Sequence, residues 1–191
     1  MAERADVCLV GNHDLVVLGV LDISDFNGDA AEAALWTREE LDDRSREFLG
    51  ALEPNAKENG AELFHASPRD PVWEYVLSAE TAYISLLETT APLVLVGHSH
   101  VALAIGLEQS ELRGGLAPAG TEVELAGRWL LNPGSIGQPR DGDPRAAWLL
   151  LDTDARTASF RRSEYDVART QGDMHEKGLP SALAERLAHG V

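Results

Sequence analysis

The chain has 191 residues and a formal net charge of −16 at pH 7, and 44% of its residues are hydrophobic. This size and composition are typical of one soluble globular domain. The negative charge disfavours binding to nucleic acid or to an anionic membrane surface. The single cysteine, Cys8, excludes an internal disulfide. No apolar stretch is long enough for a membrane span and the first residues do not resemble a signal peptide, so we expect a cytoplasmic location.

The N-terminal part of the chain is predicted to begin with a strand and to continue into helices. The apolar run at 7–10 predicts a strand over about 6–10, which leads into the tetrapeptide Gly11-Asn12-His13-Asp14. Residues 15–20 fit either a helical turn or a second short strand. A helix is expected to start near Gly28, and the capping-box pattern of Thr37 with the glutamate three residues later indicates a possible break there.

The middle of the chain alternates predicted strands and helices. A short strand over 61–65 ends in a histidine, and Pro71 is placed to begin a helix. A further helix is predicted over about 79–88. The apolar residues 93–96 predict a buried strand, and the glycine of the Gly97-His98-Ser99-His100 segment is expected to turn the backbone.

The C-terminal half is predicted to be rich in strands. We expect β segments over 101–107 and 122–131, and a glycine- and proline-rich loop over 132–139. A hairpin is predicted within 146–162, and a short amphipathic helix over 179–188. No repeat or linker divides the chain, so we predict a single domain over residues 1–191.

Metal-capable side chains cluster where predicted strands end. Ligands bind at the carboxyl ends of strands in open α/β sheets, so these groups should meet in one crevice if the strands lie side by side. Imidazole nitrogens together with an amide oxygen suit a divalent ion such as Mn, Zn, Fe or Ni. The candidate residues are Asn12, His13, Asp14, His65, His98 and His100.

The order of these motifs resembles a known family. The segment at 11–14, the lone His65 and the segment at 97–100 look like the last three motifs of the calcineurin-like metallophosphoesterases. The later loop, Asn-Pro-Gly-Ser-Ile-Gly-Gln-Pro-Arg-Asp at 132–141, is similar to that of a branch of small bacterial and archaeal phosphodiesterases. The resemblance covers essentially the whole chain.

The resemblance implies an α/β fold of four layers, with two mixed sheets flanked by helices. It also implies hydrolysis of a small phosphorylated substrate, a phosphomonoester or a phosphodiester, by metal-activated water. Two divalent ions (Mn, Fe, Zn or Ni) serve the full-length family. By motif position, Asn12, His65 and His98 would ligate one ion and His100 the other.

The resemblance also implies roles for two residues near the substrate, and the sequence itself offers two arginines. His13 would act as the acid, or as a charge stabiliser, beside the leaving oxygen, and Asp14 would orient its ring. From the residues alone, Arg69 and Arg140 lie in proline-bounded loops and are candidates to hold a substrate phosphate. Surface arginines without such a role are an equally good interpretation.

One departure from the family pattern affects the expected metal content. The family begins with an Asp-X-His motif and a Gly-Asp-X-X-Asp motif, and neither occurs in the ten residues before Gly11. Without their carboxylates we expect at most one weakly bound metal, an N-terminally incomplete domain, and an unpaired sheet edge with exposed apolar faces. Three explanations stay open: a longer native protein whose start lies upstream, a natural remnant, or a separate polypeptide that supplies the missing strands. The alternative function is a non-catalytic binding or regulatory module on a degenerate scaffold.

Overall fold

The computed structural model describes residues 4–191, which form helices and strands in two sheets. The helices are α1 (Asn12–Val17), α2 (Gly28–Glu40), α3 (Asp43–Gly50), α4 (Ala79–Glu88), α5 (Val167–Glu176) and α6 (Ser181–Glu185). The strands are β1 (Asn55–Glu58), β2 (Ala61–Phe64), β3 (Leu93–Leu95), β4 (Leu103–Glu108), β5 (Glu111–Leu116), β6 (Glu122–Glu124), β7 (Arg128–Asn132), β8 (Ala146–Asp152) and β9 (Thr157–Ser163). Between 4 and 191, no helix is long and apolar enough to cross a membrane.

The larger sheet is mixed and the smaller one is antiparallel. Six strands form the larger sheet in the order β1-β2-β3-β7-β4-β5, in which β2, β3 and β7 run parallel to one another. The smaller sheet has the order β6-β9-β8. The expected α/β architecture of two sheets flanked by helices is therefore confirmed, although the described strands of the second sheet are antiparallel and not mixed.

Apolar side chains fill the space on both faces of the larger sheet. One buried cluster joins β4 and β7 to β6 and β9 of the smaller sheet, and Trp129, Leu131 and Phe160 are its largest buried members. A second cluster packs Ala82 and Leu86 of α4 against the opposite face. Because both faces are covered, the parallel strands β3 and β7 consist of near-continuous apolar residues.

The predicted strand over 6–10 is wrong. Residues 7–10 form no strand, and Val10 donates its N–H to the Glu53 carbonyl oxygen at 3.1 Å. A strand needs a hydrogen-bonded neighbour along its length, and the described part of the chain places none beside this run. The polypeptide passes directly into α1, so the helical alternative for the following apolar residues is the one observed.

Two helix predictions also differ from the structure. Helix α2 continues through Thr37, whose Oγ1 donates to the Ala33 carbonyl oxygen at 2.8 Å and leaves the helix unbroken. No helix begins at Pro71, where the Asp70 carboxylate accepts two backbone N–H groups of the following turn, at 3.1 and 3.0 Å. In both places a side chain forms a local hydrogen bond with the backbone: Thr37 within the continuous helix α2, and Asp70 in the turn that replaces a helix.

Strand β8 leaves one edge of the smaller sheet unpaired among the described residues. Trp148 is 39% exposed and Leu150 is 52% exposed, both on this strand. An apolar groove of about 590 Å³ adjoins it, and Leu9 from the N-terminal run lines the same groove. The predicted single domain over 1–191, and its incompleteness at the N-terminus, stay predictions.

Asn132, the last residue of β7, connects two loops that follow neighbouring strands. Its side chain is fully buried and donates from Nδ2 to the Gly97 carbonyl oxygen at 2.8 Å and to Ser99 Oγ at 2.9 Å. Its Oδ1 accepts the Gly134 N–H at 2.9 Å. This one amide therefore fixes the turn after β3 relative to the loop after β7.

Replacing Asn132 by aspartate should destabilise the fold. Asn132→Asp keeps the side-chain shape but removes both donated hydrogen bonds and buries a carboxylate. We expect the free energy of unfolding, measured by urea denaturation, to fall by at least about 1–3 kcal/mol. The matched control is Asn59→Asp in an exposed turn. Equal stability of the two variants would contradict this role for Asn132.

Candidate metal centre

Three chain segments bring histidine and asparagine side chains to one end of the larger sheet. Asn12 begins α1, His65 follows β2 directly, and His98 lies three residues beyond the end of β3. Strands β2 and β3 are parallel neighbours, so their carboxyl ends meet at the same edge. The convergence expected from the sequence is therefore present, with α1 supplying the third segment in place of a strand end.

One donor atom, His65 Nε2, lies within contact distance of a donor atom from each of the other two segments. His65 Nε2 is 3.2 Å from Asn12 Oδ1 and 3.2 Å from His98 Nδ1. Ligand atoms on metal bonds of about 2.1 Å lie roughly 3.0–3.4 Å apart in octahedral or tetrahedral geometry. The spacing of these atoms therefore fits the edges of a coordination polyhedron around one small cation.

The turn that carries His98 and His100 has a strained backbone. Their φ angles are 58° and 60°, in the left-handed region that non-glycine residues seldom adopt. Such conformations cost about 1–3 kcal/mol each and are concentrated at functional sites. Gly97, expected to make the turn, has no positive φ. A Cβ at this position would lie 3.1 Å from the His65 carbonyl oxygen, so the glycine allows a close backbone approach.

The His65 ring occupies the space that a side chain on residue 11 would fill. A Cβ on Gly11 would lie 2.5 Å from Cε1, 2.7 Å from Nδ1 and 2.9 Å from Nε2 of that imidazole. Any larger residue at position 11 would therefore move the ring away from Asn12. The absence of a side chain at Gly11 therefore allows the His65 ring to lie beside Asn12.

The tautomer of His100 is fixed by one backbone group. Its Nδ1 lies 2.8 Å from the Gln138 carbonyl oxygen, which only accepts hydrogen bonds, so Nδ1 carries the proton. The Nε2 of a neutral ring then has a free lone pair. A partner of this kind is the usual orienting contact of a metal-binding histidine.

The three imidazoles are held in the neutral state. Burial lowers the pKa of His65, His98 and His100 to about 4 each. The Arg140 guanidinium lowers the pKa of His100 further. Repulsion between protonated rings also lowers the pKa of His65, beside His100, and that of His98, beside His65. A neutral imidazole is the form that binds metal, so no proton has to leave at pH 7.

The roles that the resemblance implies for His13 and Asp14 stay predictions, and the structure describes the surroundings of both residues. Desolvation, and then the charge of Arg140, lower the pKa of His13, whereas the Asp14 carboxylate raises it. Asp14 Oδ2 accepts the Gly11 N–H at 2.8 Å and caps α1, and its charge acts on the neighbouring His13. The His13 ring lies against Phe26, with centroids 4.4 Å apart.

A cavity of about 700 Å³ opens beside the donor atoms and contains most of the sequence-predicted site. Arg140 lines it together with His13, but Arg69 does not, because its guanidinium pairs with Glu74. The sequence did not single out several other lining residues, since aromatic residues and a lone arginine in a helical tail carry no motif. These are Phe26, Trp73, Tyr75, Met174, Leu183 and Arg186.

Acidic ligands are missing from the described site. Between residues 4 and 191, no group of three or more His, Cys, Asp or Glu side chains is placed to hold a metal ion. The donor triad described above has an amide, Asn12, as its third member. Its donors are therefore all neutral, and the weak metal binding expected from the sequence stays a prediction.

Comparison with known proteins identifies the family. No protein-family model matches the chain. An uncharacterized protein of Methanocaldococcus jannaschii is 33% identical over 187 residues, covering 95% of this chain and 74% of the relative. The crystal structure of a metallophosphoesterase from Sphaerobacter thermophilus is 36% identical, with a TM-score of 0.88 over 97% of this chain and 77% of that one. A hypothetical protein from Pyrococcus horikoshii OT3, 18% identical, shares the fold with a TM-score of 0.77 over 100% of this chain and 75% of its own. The chain belongs to the calcineurin-like metallophosphoesterases.

Proposed function

We propose that this protein is a metal-dependent phosphoesterase that hydrolyses a phosphomonoester or a phosphodiester. The observation that carries the proposal is the contact of His65 Nε2 with Asn12 Oδ1 and with His98 Nδ1, all neutral donors, beside a cavity of about 700 Å³. Membership of the family supports the same conclusion. Because loops around such a site determine the substrate, the fold alone does not name it.

Asn12, His65 and His98 would hold one divalent ion, and the free Nε2 of His100 is available to a second. Imidazole nitrogen with an amide oxygen suits Mn, Fe, Zn or Ni. When bound, such an ion supplies Lewis-acid polarisation of a phosphoryl oxygen and activation of a water nucleophile. The buried, neutral state of the imidazoles means that the chain binds the ion without first releasing protons.

Two further residues would act on the substrate itself. The Arg140 guanidinium lines the cavity beside His13 and His100 and is suited to bind a phosphoryl oxygen. His13 would donate a proton to the leaving oxygen, and its lowered pKa makes its protonated form a stronger acid. Asp14 stabilises the protonated ring through its charge.

Replacing Gly11 by alanine should abolish metal binding while leaving the fold intact. The new Cβ would occupy the space of the His65 ring and separate its Nε2 from Asn12. We expect wild-type protein to bind Mn²⁺ or Zn²⁺ in equilibrium dialysis, and Gly11→Ala and His98→Ala to lose at least about tenfold in affinity.

The matched control for this experiment is Gly28→Ala, because a Cβ on Gly28 meets nothing within 4 Å. Circular dichroism spectra should be the same for wild type and both glycine variants. Wild-type metal content in His98→Ala would show that the ligand assignment is wrong.

Removing the His13 imidazole should reduce turnover without reducing metal content. A general acid contributes about 10²–10⁴-fold to the rate when a poor leaving group must be protonated, so His13→Ala should lower kcat with Mn²⁺ by that factor for an alkyl phosphate ester. The loss should be smaller for bis-p-nitrophenyl phosphate, because p-nitrophenolate leaves without a proton. The control is His175→Ala, at an exposed position on α5. Metal binding by the wild type together with no turnover of either p-nitrophenyl phosphate or its diester would favour the non-catalytic binding module.

The metal-free protein should lose stability as the solution becomes acidic. The folded pKa values of about 4 lie below the ordinary value of 6.5, so the unfolded chain binds more protons between these limits. In EDTA, the urea midpoint should therefore fall as pH decreases from 7 towards 4. His100→Gln should show a shallower decrease than wild type, with His175→Gln as the matched control. If the urea midpoint of His100→Gln falls with pH as steeply as that of wild type, protonation of His100 does not contribute to the loss of stability.

A further inference from the structure

The three imidazoles of the candidate site are held by different kinds of contact. The His65 ring lies in the space beside Gly11, and His100 Nδ1 donates to the Gln138 carbonyl oxygen at 2.8 Å. His98 has neither support, and its buried Nε2 forms no hydrogen bond among the described residues. Its χ2 torsion is soft, as in any histidine, so the ring turns easily unless a neighbour blocks it. The position of the His98 imidazole therefore depends on packing.

Tyr75 packs flat against the His98 ring. The two rings are 8° from parallel with centroids 4.1 Å apart, and this van der Waals contact leaves the imidazole no room to turn about its Cβ–Cγ bond. The Nδ1 of the same imidazole lies 3.2 Å from His65 Nε2. Burial and then His65 lower the pKa of His98, and the Trp73 backbone partly opposes this shift without a hydrogen bond of ordinary geometry to Nε2. The stacked Tyr75 ring is therefore the contact that fixes the plane of the His98 donor atom.

Side-chain hydrogen bonds fix the loop that leads to Tyr75. Ser67 is fully buried, donates from Oγ to Glu74 Oε2 at 2.6 Å, and accepts the Asp70 N–H at 3.0 Å. The other carboxylate oxygen of Glu74 forms an ion pair with Arg69. Glu74 directly precedes Tyr75 in the chain and is therefore bound from two sides. The proline-bounded loop around Arg69 thus holds the residue that comes before the stacked ring.

The residue after Tyr75 is anchored as well. Val76 is buried in the apolar cluster that contains Leu86 of α4. The backbone is therefore held on both sides of Tyr75, by Glu74 before it and by Val76 after it. Tyr75 itself is 44% exposed, so its ring is not part of the buried core and its replacement should not unfold the protein.

We propose that Tyr75 is a positioning residue, whose ring holds the His98 imidazole in the plane required for metal binding. The network of Ser67, Glu74 and Arg69 in turn holds Tyr75 against that imidazole. This inference rests on the proposed function and adds to it a residue that acts through a ligand and does not bind the metal itself. Groups that orient a metal-binding histidine strongly affect metal affinity, because a misaligned ring loses its bond to the ion.

The first test is proton NMR of the metal-free protein in EDTA at neutral pH, with the His98 signals identified by their loss in His98→Ala. Protons above the face of an aromatic ring are shielded, so the His98 ring protons of wild type should resonate upfield of those in Tyr75→Leu. Tyr75→Phe keeps the ring and should keep the upfield position. Glu74→Ala removes the network from outside the cavity and should move the His98 signals part of the way towards those of Tyr75→Leu.

The second test is equilibrium dialysis with Mn²⁺. Tyr75→Leu should bind Mn²⁺ at least about tenfold more weakly than wild type, and Tyr75→Phe should bind it as wild type does. At saturating Mn²⁺, the KM of Tyr75→Leu for a phosphate ester should equal that of wild type. A raised KM together with unchanged Mn²⁺ affinity would show that Tyr75 acts on the substrate and would overturn the proposal.

The matched control is Tyr83→Leu, the same substitution at a half-buried position of α4 that does not line the cavity. It should leave both the His98 signals and the Mn²⁺ affinity as in wild type. Unchanged His98 signals in Tyr75→Leu would refute the role of Tyr75 whether or not metal binds. Neither test requires turnover, so a protein that binds Mn²⁺ but hydrolyses no ester would refute the proposed function separately.

Discussion

The site depends on the close contact between the His65 ring and its neighbours. The ring lies where a Cβ on Gly11 would be, and its Nε2 contacts both Asn12 and His98 at 3.2 Å. Parallel pairing of β2 with β3 brings His65 and His98 to one edge, but pairing alone would leave the rings free to rotate. The absent side chain at position 11 is what lets the imidazole approach the amide of Asn12. Backbone topology and a single glycine thus determine the geometry of the donor atoms together.

Hydrogen bonds from the neighbouring loop after β7 stabilise the strained turn of His98 and His100. His98 and His100 both have left-handed backbones, which cost free energy wherever a side chain is present. Asn132 holds the same turn through Gly97 and Ser99, and the Gln138 carbonyl holds the His100 ring. Buried, fully satisfied amide contacts of this type make one conformation much more favourable than its alternatives. The histidines therefore stay in place before any ligand arrives.

The sequence predicted the site better than it predicted the elements around it. Short polar motifs after apolar runs located the donor residues, because strand ends are where a sheet presents side chains to ligands. The prediction of a strand at 6–10 is wrong, because an apolar run forms a strand only beside a neighbouring strand, and the local sequence does not specify that neighbour. The helix predicted to begin at Pro71 does not form, because the Asp70 carboxylate accepts backbone N–H groups in a turn instead. Arg186 was not foreseeable, because only the tertiary fold carries the C-terminal turn to the cavity.

The charge of the cavity differs from that of the chain as a whole. A net charge of −16 repels anions at long range, although salt screens that repulsion beyond about 10 Å. Inside the cavity, Arg140 and Arg186 lie among Asp14, Asp25 and imidazoles whose lowered pKa keeps them neutral at pH 7. A divalent ion held by Asn12, His65 and His98, as proposed above, would add positive charge there and favour a phosphate ester.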